Sequence, residues 1–153
     1  MRTLLVGLGN PIVTDDGAGI RVVQIIKRKL HDPNVDAVGV SFGGLDLLEL
    51  ITGYDRLILI DTVQTSGCAP GSVLKLTLDD LGSTQHLSSP HDIGFKELIE
   101  LGRELGLNLP CDILIYAIEA ADTTTFGERC TPLVAEAIPY LVDLVIEEQF
   151  ARP

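Results

Sequence analysis

The chain has 153 residues, 46% of them apolar and 22% charged, with a mean hydropathy of +0.31. This length and composition fit one ordinary domain with a sizeable core and exclude a disordered chain. A net charge of −11 and a pI of about 4.5 disfavour a nucleic-acid partner, which needs a basic surface, and leave room for a basic protein region or a bound cation.

The apolar runs are short, as in Leu57–Ile60, so no membrane span is expected. Arg2 leads directly into a strand, and no secretory signal is expected. Cys68, Cys111 and Cys130 form no close metal-binding pair and are odd in number, which predicts reduced thiols in a cytoplasmic protein.

Thr3–Leu8 (TLLVGL) reads as a buried strand followed by a Gly9-Asn10-Pro11 turn. A helix is predicted over 16–30, with Ile20, Val23, Ile26 and Leu30 close to helical spacing and Asp15 or Asp16 as its N-cap. Asp32-Pro33-Asn34 ends it. A second strand is predicted over 35–41 and, after Gly43-Gly44, a short helix over 45–52. The third strand, RLILID, ends in Asp61, and the fourth, SVLKLT, reads as an antiparallel edge strand. A loop over 79–90 leads to an amphipathic helix over 92–105, stopped by Gly106. DILIYAI (112–118) is the fifth strand, and Thr131-Pro132 opens a terminal helix over 133–150. Strands that are apolar on both faces and alternate with helices predict a single α/β domain over residues 1–153. Its expected architecture is a three-layer sandwich: a five-stranded, mostly parallel twisted sheet with one antiparallel edge strand and helices on both faces.

In such folds ligands bind beyond the carboxyl ends of the strands. Asp16, Asp61 and His91 fall in three separate segments at that edge, 45 and 30 residues apart, so only the fold can unite them. Two carboxylates and an imidazole suit a divalent transition metal with open positions, or acid–base work on a water. Each residue also has a purely structural alternative. Asp16 can cap the helix, Asp61 can bind backbone amides at a strand end, and His91 can be an exposed loop residue. His86 is a reserve candidate in the same loop.

The glycine turn does not fit a dinucleotide site. Gly7-Leu8-Gly9-Asn10-Pro11-Ile12 lacks the third glycine, and Asp15 and Asp16 stand where phosphate would meet the helix and would repel it. The pentapeptide GLGNP resembles the opening of bacterial peptidyl-tRNA hydrolases, but Ile12 and Val13 follow where that family has glycine and tyrosine, and a tRNA fits poorly with the acidic charge.

The longer stretch GLGNPIVTDDGAGIRV resembles the N-terminal signature of hydrogenase maturation endopeptidases. LILIDTV, SPHDIGF, AIEAAD and the Thr-Pro-Leu-Val helix continue the resemblance in order along the chain. It implies a protease that removes the C-terminal extension of a nickel-iron hydrogenase large-subunit precursor. Asp16, Asp61 and His91 would recognise nickel already inserted in that precursor and take part in catalysis, so no tightly bound metal of its own is expected. Whether Asp15 or Asp16 is the ligand stays open, as does whether the nickel is catalytic or only recognised. The Ser41-Phe42-Gly43-Gly44 segment departs from the family's frequent D-G-G-T and is expected to touch substrate. No G-x-S-x-G element suggests a serine nucleophile. A non-hydrolytic metal-binding maturation chaperone using the same trio is the alternative.

Overall fold

The computed structural model describes residues 1–41, 43–65, 67–81 and 94–151. Strands β1 (Thr3–Leu8), β2 (Val35–Val40), β3 (Arg56–Val63), β4 (Val73–Thr77) and β5 (Asp112–Glu119) form one sheet in the order β2-β1-β3-β5-β4. The pairs β1–β2, β1–β3 and β3–β5 are parallel, and β4 lies antiparallel on β5 at the edge, as the sequence predicts.

Helices α1 (Ala18–Lys29), α2 (Gly44–Ile51), α3 (Phe95–Glu104) and α4 (Pro132–Val145) cover both faces. Alternation along the strands divides the core in two. Leu5, Ile58, Ile60, Tyr116 and Ile118 pack with α1 and α4. Leu4, Val6, Leu57, Leu59 and Ile115 pack with α2 and α3. A strand buried on both faces has no polar row to show, which is why β1 and β3 read as near-continuous apolar runs.

Some predicted boundaries shift. β3 continues through Asp61 to Val63, so Asp61 lies inside the strand and not at its end. α1 starts at Ala18, after a 3-10 turn over Thr14–Gly17; Gly17 is its N-cap and neither aspartate caps it. α3 starts at Phe95 behind Gly94, three residues later than predicted. The last helix passes into a wider π turn at Ile146–Phe150, where the Tyr116 hydroxyl donates to Glu148 Oε1 (2.7 Å) and accepts from Gln149 Nε2 (2.8 Å). No helix among the described residues is long and apolar enough to cross a membrane.

Candidate active site

The carboxyl ends of β1, β2, β3 and β5 share one edge of the sheet, where Asp16, Asp61, Ser41, Gly43 and Gly44 lie among the described candidates. At β1, Gly9 has φ of +145°, and a Cβ on it would collide with the Asp16 carbonyl oxygen. This glycine therefore serves a backbone turn. The turn closes on itself: the Asn10 N–H reaches both the Asp16 carbonyl (3.2 Å) and Asp16 Oδ2 (2.9 Å), and the Asp16 N–H donates to the Val13 carbonyl (2.9 Å). Gly19, three residues on, lets the first turn of α1 rest on the sheet; a Cβ there would meet the Ile60 carbonyl oxygen at 2.5 Å and that of Leu8 at 2.8 Å.

The two aspartates have different environments. Asp15 is fully buried. Its Oδ2 accepts the N–H groups of Ala121 and Asp122, both at 2.9 Å, and its Oδ1 accepts the N–H of Thr131 at 2.7 Å. The Thr131 hydroxyl donates to the same carboxylate at 2.9–3.0 Å. Asp15 is thereby saturated and tied to the N-cap residue of α4. Asp16 is half-buried and spends only Oδ2 on Asn10. Its Oδ1 is shielded from solvent and has no hydrogen-bond partner among the described residues. An unmatched buried carboxylate oxygen costs stability unless something else binds it, which marks Asp16 as the member of the pair open to a ligand.

Asp61 is fully buried, and its Oδ1 accepts the N–H of Thr62 at 2.7 Å. It continues the Leu57, Leu59 row, so it stands on the α2/α3 side of the sheet. His91 lies outside the described residues, as do His86 and Phe42. Leu81 and Phe95, the described residues nearest His91 on either side apart from Gly94, both pack in the α2/α3 core layer that the Asp61 row faces. Among the described residues no three His, Cys, Asp or Glu side chains could hold a metal ion. Ser41, exposed, and Gly43 and Gly44 sit at the carboxyl end of edge strand β2, on the same sheet edge.

One buried carboxylate at this edge was not singled out from the sequence. Glu119 pairs with Val63, two residues beyond the Asp61–Ala117 pair, and is 2% exposed. Both its oxygens take the Thr65 N–H (2.8 and 3.1 Å), and it also accepts the Thr65 hydroxyl. It fixes the chain as it leaves β3. The signal was present: ILIYAIE ends an apolar strand in an acid just as LILID does.

Cys130 is a poor nucleophile candidate. All three cysteines are free, and burial pushes the Cys130 thiol above its ordinary pKa, with Arg21 opposing. Cys130 instead donates weakly to the Thr14 carbonyl (3.7 Å).

Relatives share this frame. The family profile HycI, hydrogenase maturation protease, matches residues 20–148, which begins after the glycine turn. The hydrogenase expression/formation protein HupD of Bradyrhizobium diazoefficiens is 32% identical over 152 residues, covering 95% of this chain and 77% of that protein. HupD of Thiocapsa roseopersicina is 27% identical over 149 residues, covering 94% of this chain, and the chain spans 66% of that protein's length. The hydrogenase maturating endopeptidase HybD from E. coli has the same fold, with a TM-score of 0.82 at 23% identity over 96% of this chain and 91% of that one. With the profile spanning most of its length, the chain belongs to the hydrogenase maturation protease family.

Proposed function

We propose that this chain is the endopeptidase that removes the C-terminal extension of a nickel-iron hydrogenase large-subunit precursor after nickel insertion. The observation that carries this reading is the division of labour in the Asp15-Asp16 pair. Asp15 is consumed by structural hydrogen bonds, while Asp16 keeps Oδ1 unmatched at the edge that also holds Asp61. Asp16, Asp61 and His91 bind the nickel, which arrives as part of the substrate; the protein needs no resident metal. Ser41, Phe42, Gly43 and Gly44 contact the precursor beside them.

The chemistry is hydrolysis of one peptide bond. A carboxylate of the site takes a proton from a water as the water oxygen adds to the scissile carbonyl carbon. The carbon–nitrogen bond then breaks, and the proton passes to the leaving amine. The substrate's nickel orients the precursor and can polarise the carbonyl. Family membership supports a peptidase. The work belongs in the cytoplasm, consistent with three free thiols.

The test is incubation of the purified chain with nickel-loaded precursor, the product being weighed by mass spectrometry. Loss of the tail supports the endopeptidase; binding with an intact precursor favours the non-hydrolytic chaperone.

A further inference from the structure

The ladder between β1 and β3 ends at the Gly7–Ile60 pair, whereas the ladder between β3 and β5 runs on to Val63–Glu119. Asp61 therefore stands in a stretch of β3 with a sheet neighbour on one side only, namely β5. Chain ends with few partners open more readily than paired interiors, so the position of Asp61 depends on how firmly this stretch is fastened to β5.

Glu119 fastens it. In β5, Ile115 packs in the α2/α3 layer, while Tyr116 and Ile118 pack in the α1/α4 layer. By alternation Glu119 shares the α2/α3 side with Asp61, one step further along that face. Its carboxylate takes the Thr65 N–H on both oxygens (2.8 and 3.1 Å) and the Thr65 hydroxyl as well. Further bonds make the same join: the Ala120 N–H donates to the Val63 carbonyl (2.9 Å), and the Thr123 hydroxyl donates to Gln64 Oε1 (3.1 Å). The backbone of Glu119 is held in turn, its N–H donating to the Ser72 carbonyl and its carbonyl accepting the Gly71 N–H, both at 2.8 Å.

The same segment holds the second carboxylate of the site. Just beyond Glu119, the N–H groups of Ala121 and Asp122 bind the Asp15 side chain, and the Asp15 N–H donates to the Asp122 carbonyl (3.0 Å). Residues 119–122 thus reach Asp61 through β3 and Asp16 through its neighbour Asp15. Space-filling does not account for Glu119. It is 2% exposed with no ion-pair partner among the described residues, and an apolar side chain would fill the same space without the cost of a buried charge. What the carboxylate supplies is two acceptor oxygens at the end of β3.

We propose that Glu119 is a positioning residue of the site, fixing the spacing of Asp61 from Asp16 through its hydrogen bonds to Thr65. This rests on the reading that the chain cleaves the precursor. Glu119 acts through β3 and the Asp15 contacts, and the site carboxylates do the cleavage.

The test measures kcat on saturating nickel-loaded precursor, corrected for the folded fraction, for the wild type, Glu119→Ala, Glu119→Gln and Tyr116→Phe. Glu119→Ala is expected to lower kcat about tenfold or more, because a small misplacement of reacting groups is enough to do so. Glu119→Gln, whose amide oxygen still accepts from Thr65, is expected to stay within about threefold of wild type. Tyr116→Phe, which loses buried hydrogen bonds on the other face of the sheet, controls for stability: its thermal midpoint falls and its kcat does not. A wild-type kcat in folded Glu119→Ala overturns the proposal and leaves the endopeptidase reading standing. An equal loss in Glu119→Gln also overturns it, since the charge and not the hydrogen bonds would then matter. If Glu119→Ala does not fold, Thr65→Val decides: kcat about threefold lower or more supports the proposal, and an unchanged kcat overturns it. A precursor left intact by the wild type removes the endopeptidase reading, and the proposal falls with it.

Discussion

Asp15 and Thr131, 116 residues apart in sequence, are joined by the Thr131 N–H at 2.7 Å from Asp15 Oδ1 and by the threonine hydroxyl on the same carboxylate. This contact fastens the turn that carries Asp16 to the N-cap residue of the last helix. Because Asp15 also holds the N–H groups of Ala121 and Asp122, one buried carboxylate closes three segments into a single unit.

Removing it leaves three backbone N–H groups short of their acceptor. Asp15→Ala is expected to destabilise the fold by about 3 kcal/mol, since each lost charge-assisted bond is worth about 1 kcal/mol or more. For a chain of this size that lowers Tm by roughly 6–12 °C. Differential scanning calorimetry reads it directly; a Tm within about 2 °C of wild type would show that the network contributes little.

Asp16→Asn should behave in the opposite way. The amide oxygen can still accept the Asn10 N–H, so Tm stays near wild type, while tail removal is lost. Calorimetry and a cleavage assay on the same preparation separate the two aspartates; a folded variant with full cleavage would mean that the unmatched Oδ1 is not the working atom.

Gly9→Ala tests the turn itself. The φ of +145° and the Asp16 carbonyl oxygen that a Cβ would strike predict both a stability loss and a displaced Asp16. A cost of roughly 1–3 kcal/mol is expected for the strained backbone alone, measured as a shift of the urea midpoint.

Stability should fall at both ends of the pH scale for identifiable reasons. The N–H groups of Thr125 and Thr124 hold the Asp122 carboxyl at about 2, below its ordinary 3.8. A depressed pKa gives stabilisation that is present above pH 3.8 and is lost as pH falls towards about 2. Burial, and after it the hydrogen bond to Glu148, pushes the Tyr116 hydroxyl from 10.0 up to about 12. Here the neutral form is favoured in the fold, so the stabilisation is full below pH 10 and is lost as pH rises through about 12. Urea unfolding across pH 9–12 should show this alkaline decline in the wild type and a shallower one in Tyr116→Phe.

Much of this was legible in the sequence because it depends on local pattern. RLILID and DILIYAIE announce buried parallel strands, and SVLKLT, with Lys75 among apolar neighbours, announces an edge. The helix start was misread for a physical reason. Acids before a helix are the usual capping signal, but here Asp15 is drawn to partners over 100 residues away and Gly17 takes the cap position. No local pattern reports a contact at that separation, so only the fold distinguishes Asp15 from Asp16. Asp61 was singled out because an acid following the apolar run LILI stands out, and Glu119 shows the same mark. The role of His91, which lies outside the described residues, rests on the S-P-H resemblance.

In the proposed function, Asp16, Asp61 and His91 read the substrate's nickel and cleave its tail. The most direct measurement is mass spectrometry of nickel-loaded precursor after incubation with the wild type, Asp16→Asn, Asp61→Asn and His91→Ala. The account predicts a shortened precursor with the wild type and an intact one with each folded variant. Normal processing by all three variants would contradict it.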